Sequence, residues 1–310
     1  MVEMVLVTGG SGFLGKNLQE AVLSSGFEWC FVSSKQVNLL EQIEVTRLLD
    51  QYRPTVLLHM AAICGGIGAN KNRPADFVHL NSRMTCNVFQ AAQNNGIEYL
   101  YTLGSVCAYP KHCPVPFKED DIWNGYPEDT NAPYGTAKRL QLVMQQAYRE
   151  QYGIKGAHLV PVNLFGPHDH FDLKNSHVIP ALIRKIIYAK ENQCESVEIW
   201  GSGNATREFL YAGDCATALV KVIESKLDYP SPTNLGTGRD ISIKNLAELI
   251  AKLVEYNGEL VYLGDNTDGQ PKRRLDVSRA KQLLEFEATT SLEDGLGQTI
   301  DWYRKHRDKS

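Results

Sequence analysis

The sequence has no apolar run approaching the roughly 20 residues that a bilayer span needs, so a membrane-spanning protein is not expected. It has no basic segment and cleavage site at its start. Met1-Val2-Glu3-Met4-Val5 runs straight into a strand-like stretch, which argues against a secretory signal and makes the cytoplasm the expected location. No CxxC pair occurs, and the cysteines (Cys30, Cys64, Cys86, Cys107, Cys113, Cys194, Cys215) are odd in number, which argues against a disulfide framework and a structural zinc site. They are expected to be free thiols, most of them small core residues. Nor is there a large excess of either charge. The 32 Lys and Arg against 36 Asp and Glu leave a net −4, with the basic residues spread along the chain. Nucleic acid is therefore not an expected partner, and any phosphate must be gripped by local groups.

What is present is ordinary globular composition, 43% hydrophobic and 22% charged over 310 residues. That is enough chain to bury a sizeable core, as one large α/β domain or two domains sharing a cleft. Short apolar runs alternate with amphipathic stretches, the pattern of βαβ units around a parallel sheet. Strands are predicted at Met4–Thr8, Trp29–Val32, Thr55–Met60, Tyr99–Leu103 and His158–Val162, and helices at Gly12–Ser24, Gln42–Tyr52, Phe77–Asn94 and Pro133–Tyr152. Past about residue 165, Pro and Gly interrupt the pattern, with helices near Val178–Lys190, Asp214–Ser225 and Ile243–Tyr256 and a strand at Val197–Trp200. The expectation is a doubly wound parallel sheet over 1–165 and a smaller α/β substrate-binding lobe over 166–310, with the chain able to cross between lobes near its C-terminus. No flexible linker separates them, so the crevice between the lobes is the expected site.

Val5-Leu6-Val7-Thr8-Gly9-Gly10-Ser11-Gly12-Phe13-Leu14-Gly15 is a buried strand, then glycines, then an amphipathic helix. A tight turn, close backbone approach and a helix N-terminus together suit a pyrophosphate. After the second strand an acidic residue would bind a ribose 2′-hydroxyl; this chain has Ser33, Ser34 and Lys35, which suit a 2′-phosphate, so NADP(H) is expected rather than NAD. Further on, Tyr134-Gly135-Thr136-Ala137-Lys138 puts a phenol and an ammonium on one helix face, one turn apart. The ammonium is expected to lower the phenol's pKa toward the operating range of a general acid. Ser105, at the end of the fourth strand, lies where ligands sit in open α/β sheets.

The Thr-Gly-x-x-Gly-x-x-Gly spacing, with His59-Met60-Ala61-Ala62 after the third strand, resembles the extended branch of the short-chain dehydrogenase/reductases, built on a Rossmann-type sheet. That resemblance implies cofactor contacts from Gly9, Gly12, Phe13, Leu14, Gly15, Ala61 and Ala62 and a Ser105, Tyr134, Lys138 triad. In it Tyr134 is the general acid, Lys138 tunes it and positions the ribose, and Ser105 hydrogen-bonds the substrate oxygen. Longer blocks are similar to the GDP-L-fucose synthases. They are Gly65-Gly66-Ile67-Gly68-Ala69-Asn70, Ser105-Val106-Cys107-Ala108-Tyr109-Pro110-Lys111, Asn163-Leu164-Phe165-Gly166-Pro167-His168-Asp169, Asn175-Ser176-His177-Val178-Ile179-Pro180, and Trp200-Gly201-Ser202-Gly203 with Arg207-Glu208-Phe209.

By that resemblance the chemistry is epimerisation at C3″ and C5″ of GDP-4-keto-6-deoxy-D-mannose, then reduction at C4″ by NADPH. Cys107 is the base and His177 the acid of the epimerisation. Lys185, Arg207 and Arg273 contact the diphosphate or guanosine, Trp200 packs near the base, and Asn163 and Val178 line the sugar pocket. Related dehydratases carry an Asp-Glu pair where this chain has Val106-Cys107, which disfavours dehydration. The synthases carry Ser or Thr at Val106, so one substrate contact is expected to be missing. Tyr109, Trp123, Tyr126 and Tyr211 are expected as core or rim aromatics. His168, Asp169, His170 and Asp172 supply metal-ligand types, but the reaction needs no Lewis acid and no metal is expected. A homodimer through a four-helix interface of the two long helices is expected by analogy. Two alternatives stand beside this reading: a sister activity on another 4-keto sugar of colitose or deoxyheptose type, and a non-catalytic NADP-binding protein.

Overall fold

The computed structural model describes residues 3–173, 176–264 and 270–307. Of the segments quoted above, Asn175 lies outside the described residues. The elements run β1 (Met4–Thr8), α1 (Phe13–Ala21), β2 (Glu28–Val32), α2 (Gln42–Tyr52), β3 (Val56–His59), α3 (Ile67–Asn72), α4 (Pro74–Asn94), β4 (Tyr99–Leu103), α5 (Ala132–Tyr152) and β5 (His158–Pro161). They continue β6 (Asn163–Phe165), α6 (Val178–Glu191), β7 (Ser196–Ile199), β8 (Thr206–Tyr211), α7 (Ala212–Glu224), β9 (Thr233–Leu235), β10 (Asp240–Ser242), α8 (Ile243–Val254), β11 (Glu259–Tyr262), β12 (Lys272–Arg273), α9 (Ser278–Leu284) and α10 (Leu292–His306). Among the described residues no helix is long and apolar enough to cross a membrane.

The main sheet has the order β2-β1-β3-β4-β5-β9 and is parallel throughout. All its strands except the edge strand β2 are buried on both faces. Val5, Val7, Val56, Leu58, Tyr99 and Tyr101 point into one core, while the alternating Leu6, Leu57 and Leu100 point into the other. A third core joins α6, α8 and α10 over a smaller sheet ordered β10-β8-β12, with β6 also pairing β8.

The main sheet and its core also draw on residues beyond 165. β9 closes the main sheet beside β5, and α7 contributes Cys215, Leu219 and Val222 to the first core. The physical reason is coverage: without β9 the inner strand β5 would present an unpaired edge, and without α7 part of that face would be bare. Ala280 and Leu284 of α9 also belong to the first core.

The chain leaves β1 for β2 on one side and returns to β3 on the other, so the topological switch lies between β1 and β3. Beyond the carboxyl ends of those strands is where an open α/β sheet binds ligands.

Candidate active site

After Thr8 the backbone turns at Gly9, whose φ of +77° favours glycine; a Cβ there would lie 2.9 Å from Cα of Ala61 at the end of β3. Gly10 N–H donates to the Val32 carbonyl at 2.9 Å, tying the turn to β2. Gly12 caps α1 without a side-chain hydrogen bond, and the first turn holds no acidic residue, so the free N–H groups of that turn suit an anion. Gly15 must also be bare, because a Cβ would lie 2.5 Å from the carbonyl oxygens of Gly9 and Gly10. The turn opens onto a cavity of about 1170 Å³, and this cradle fits the pyrophosphate of a dinucleotide.

All the sequence-predicted site residues line that cavity except Lys35. Ser33 and Ser34 reach its wall, whereas Lys35 is exposed on the turn beyond them. The Ser33 hydroxyl donates to Gln36 Oε1 at 2.9 Å, and Gln36 N–H donates back to the Ser33 carbonyl at 3.0 Å, which closes the turn. The charges of the wall contrast with those of the chain. Among the described residues it carries Lys71, Lys138, Lys185, Arg207 and Arg273 against one carboxylate, Asp169. A protein of net −4 thus encloses a basic cavity, which suits an anionic ligand.

At the reacting end, Ser105 caps the turn Val106–Ala108, its hydroxyl accepting from Cys107 N–H at 3.2 Å. α5 abuts that turn closely: a Cβ on Gly135 would collide with the Cys107 carbonyl oxygen. This contact sets Tyr134 in register with Ser105, which hydrogen-bonds the phenol. Lys138 is buried, and its ammonium donates to the Leu103 carbonyl at 2.7 Å while standing 5.8 Å from the centre of the Tyr134 ring.

The expected lowering of the phenol's pKa is not what these surroundings produce. Burial pushes Tyr134 well above its usual value, the thiols of Cys64 and Cys107 add to that, and only the Ser105 bond opposes it. Burial also pulls Lys138 down to about 8, which weakens the charge that was expected to act on the phenol.

Cys107 is half-buried on the cavity wall, and His177 is the N-cap residue of α6 on the wall as well. The surrounding protein lowers the His177 imidazole's pKa, and His170 lowers it further. Val106 is 3% exposed and packs into the first core, so its side chain offers the cavity no hydroxyl.

At the anion end, Arg207 and Arg273 are partners in the β8–β12 register. The neighbours of Arg273 point elsewhere: Lys272 and Arg274 both pair with Asp240, at 3.3 and 3.4 Å. Lys185 donates to the Glu198 carbonyl at 3.0 Å and lies 5.1 Å from the centre of the Trp200 ring, which is 66% exposed. Asn163 Nδ2 donates to the Glu208 carbonyl at 2.8 Å, and Val178 lines the wall beside His177.

Tyr109 is a core residue bonded to Asn234, Tyr211 bonds Gln298, and Trp123 and Tyr126 are exposed. Among the described residues no group of three or more His, Cys, Asp or Glu could hold a metal ion. His168 turns away to pair with Glu20 at 3.2 Å.

Several wall residues were not singled out from the sequence as part of this cavity, among them Cys64, Lys71, Asp169 and His170. Asp169 is 6% exposed. Its Oδ1 accepts from His170 N–H at 2.7 Å, Oδ2 has no partner among the described residues, and burial pushes its carboxyl up to about 7. The Gly-Pro-His-Asp segment held the available signal, read there only as a metal question.

A model of the NAD dependent epimerase/dehydratase family matches residues 5–236, and the chain belongs to this family. Its similarity extends further along the chain with particular relatives. It is 37% identical over 297 residues to a GDP-L-fucose synthase of Sinorhizobium fredii, covering 96% of this chain and 94% of that one. It is 36% identical over 305 residues to a GDP-L-colitose synthase of Yersinia pseudotuberculosis, covering 98% and 99%. A GDP-L-fucose synthetase of Naegleria fowleri, solved bound to NADP, superposes with a TM-score of 0.90 at 26% identity, covering 99% and 96%.

Proposed function

We propose that the protein is an NADP-dependent epimerase and reductase that converts GDP-4-keto-6-deoxy-D-mannose to GDP-L-fucose. The observation that carries this reading is a single basic cavity whose wall holds both the Ser105, Tyr134, Lys138 group and the Cys107, His177 pair. The similarity to GDP-L-fucose synthases over nearly the whole chain supports it. Bound in the glycine cradle, NADPH supplies the hydride that reduces the C4″ ketone.

The chain's own residues do the rest. Ser105 and Tyr134 converge on the ketone oxygen, and the phenol, kept protonated by burial, gives its proton to that oxygen. Lys138, fixed on the Leu103 carbonyl, faces the ribose and the phenol. For epimerisation Cys107 withdraws the proton beside the ketone and His177 returns one from the opposite face. Ser33, Ser34 and the absence of an acidic wall residue beside them favour the 2′-phosphate of NADP(H). Arg207, Arg273 and Lys185 bind the diphosphate and Trp200 the base, with Asn163 and Val178 against the hexose.

The enzyme works in the cytoplasm, consistent with seven free thiols, and as a homodimer in which α4 and α5 of each copy form a four-helix interface. Val143 on α5, 46% exposed, gives that face an apolar contact. One observation favours a second reading: Val106 supplies no hydroxyl, and a relative named for colitose matches equally well, so another GDP-4-keto-deoxy sugar is the alternative substrate. The test is purified protein with NADPH and GDP-4-keto-6-deoxy-D-mannose, followed at the NADPH absorbance. Oxidation with release of GDP-L-fucose is expected, and no oxidation overturns the reading.

A further inference from the structure

Arg273 sits on a strand of only two residues, and a short strand by itself leaves the end of a long side chain unfixed. The residue is nonetheless only 8% exposed and on the cavity wall. The group that fixes it is Gln270, also 8% exposed. Gln270 Oε1 accepts from Arg273 Nε at 2.8 Å. Its Nε2 donates in the other direction, to the Lys111 carbonyl at 2.8 Å and the Pro110 carbonyl at 3.5 Å. The next residue is pinned as well, since the Pro271 carbonyl accepts from Thr206 N–H at 2.9 Å on β8.

A guanidinium is a planar fork, so holding Nε fixes the plane in which the two Nη groups lie, and the buried carboxylate of Glu128 acts electrostatically on the same arginine. Pro110 and Lys111 follow directly on the turn that carries Ser105 and Cys107, so one buried amide spans from the reacting end to the anion end. The amide suits both contacts, because one atom accepts and the other donates. Glutamate could serve only Arg273, and methionine neither.

We propose that Gln270 is a positioning residue for anion recognition: it orients the Arg273 fork toward a ligand diphosphate and ties that fork to the backbone beside the catalytic turn. This rests on the reading of Arg273 as a diphosphate contact.

The test measures GDP binding by calorimetry in the full-length protein, with NADPH binding as a control. Gln270→Met is expected to weaken GDP about five- to ten-fold, the loss of a charge-assisted orientation, with NADPH affinity changed less than about two-fold. In an Arg273→Ala background Gln270→Met is expected to have no further effect, since the residue acts through the arginine. Should Gln270→Met fail to fold, Gln270→Asn, too short to reach both partners, makes the same comparison. The inference is overturned if Gln270→Met binds GDP like wild type, or if it weakens GDP equally with and without Arg273. Wild-type protein that binds no GDP would strike the underlying reading of the site, which separates the two failures.

Discussion

The two ends of the cavity are built differently. At the reacting end, the groups stand on the ends of buried parallel strands and the first turn of α5, and each is locked by backbone: Ser105 by Cys107 N–H, Lys138 by the Leu103 carbonyl, Tyr134 by the closeness of Gly135 to Cys107. At the anion end, Lys185 rests on an exposed tryptophan, and Arg273 depends on a two-residue strand and one glutamine. Chemistry that tolerates little misplacement sits where burial fixes geometry. The proposed diphosphate contacts are instead long cationic side chains, Lys185 on an exposed wall and Arg273 held by one glutamine.

The sharpest way to break this contrast is to cut one rigid group. Tyr134→Phe is expected to lower kcat by about 10²–10⁴-fold, the usual worth of a general acid, while NADPH binding measured by fluorescence stays near wild type. Next in size, Cys107→Ser is expected to slow solvent deuterium exchange at the carbons flanking the ketone by at least about 10²-fold. Reduction of a substrate already in the L-configuration should be nearly unaffected. Retained exchange would remove Cys107 from the base role.

The reacting end also rests on two buried histidines, His59 bonded to Thr8 and His158 bonded to Thr102, both at 2.8 Å and both pulled down to about 3 by burial. Each stays neutral in the folded chain but protonates near 6.5 once unfolded. Stability is therefore expected to fall between pH 6.5 and about 3, by about 1.4 kcal/mol per pH unit for each histidine. Urea midpoints from pH 7 to 4.5 measure the slope, and His59→Asn should reduce it by one histidine's share. The smallest effect belongs to the adaptable end. Trp200→Ala, which removes a cation–π partner of Lys185, is expected to raise KM for the GDP-sugar two- to five-fold, about 0.5–1 kcal/mol, with kcat unchanged.

The same contrast governs what the sequence disclosed. Five main-sheet strands were legible because each is a run of four or five residues dominated by apolar side chains between turn signals, even at the edge strand β2, where only Val32 is buried, and the glycine turn because its neighbours admit no Cβ. β6, β9, β10 and β12 were not, since strands of two or three residues show no period. The return of β9 to the main sheet depends on pairing with β5, more than 70 positions earlier, which leaves no local mark. The placement of Tyr134 and Lys138 around one cavity was legible from their spacing, but the direction of the phenol's pKa was not. It is set by burial and by Cys64, which only the folded chain brings near. Lys35 read as a phosphate contact from its position, and it lies exposed on the turn that the Ser33–Gln36 bond holds.

The central claim is that one basic cavity carries out both epimerisation and reduction. Its most direct measurement is turnover of GDP-4-keto-6-deoxy-D-mannose with NADPH in deuterated water, with the product read by NMR and mass spectrometry. The account predicts GDP-L-fucose carrying solvent deuterium at C3″ and C5″ and a hydrogen from NADPH at C4″. Reduction that leaves C3″ and C5″ unlabelled and uninverted would contradict it.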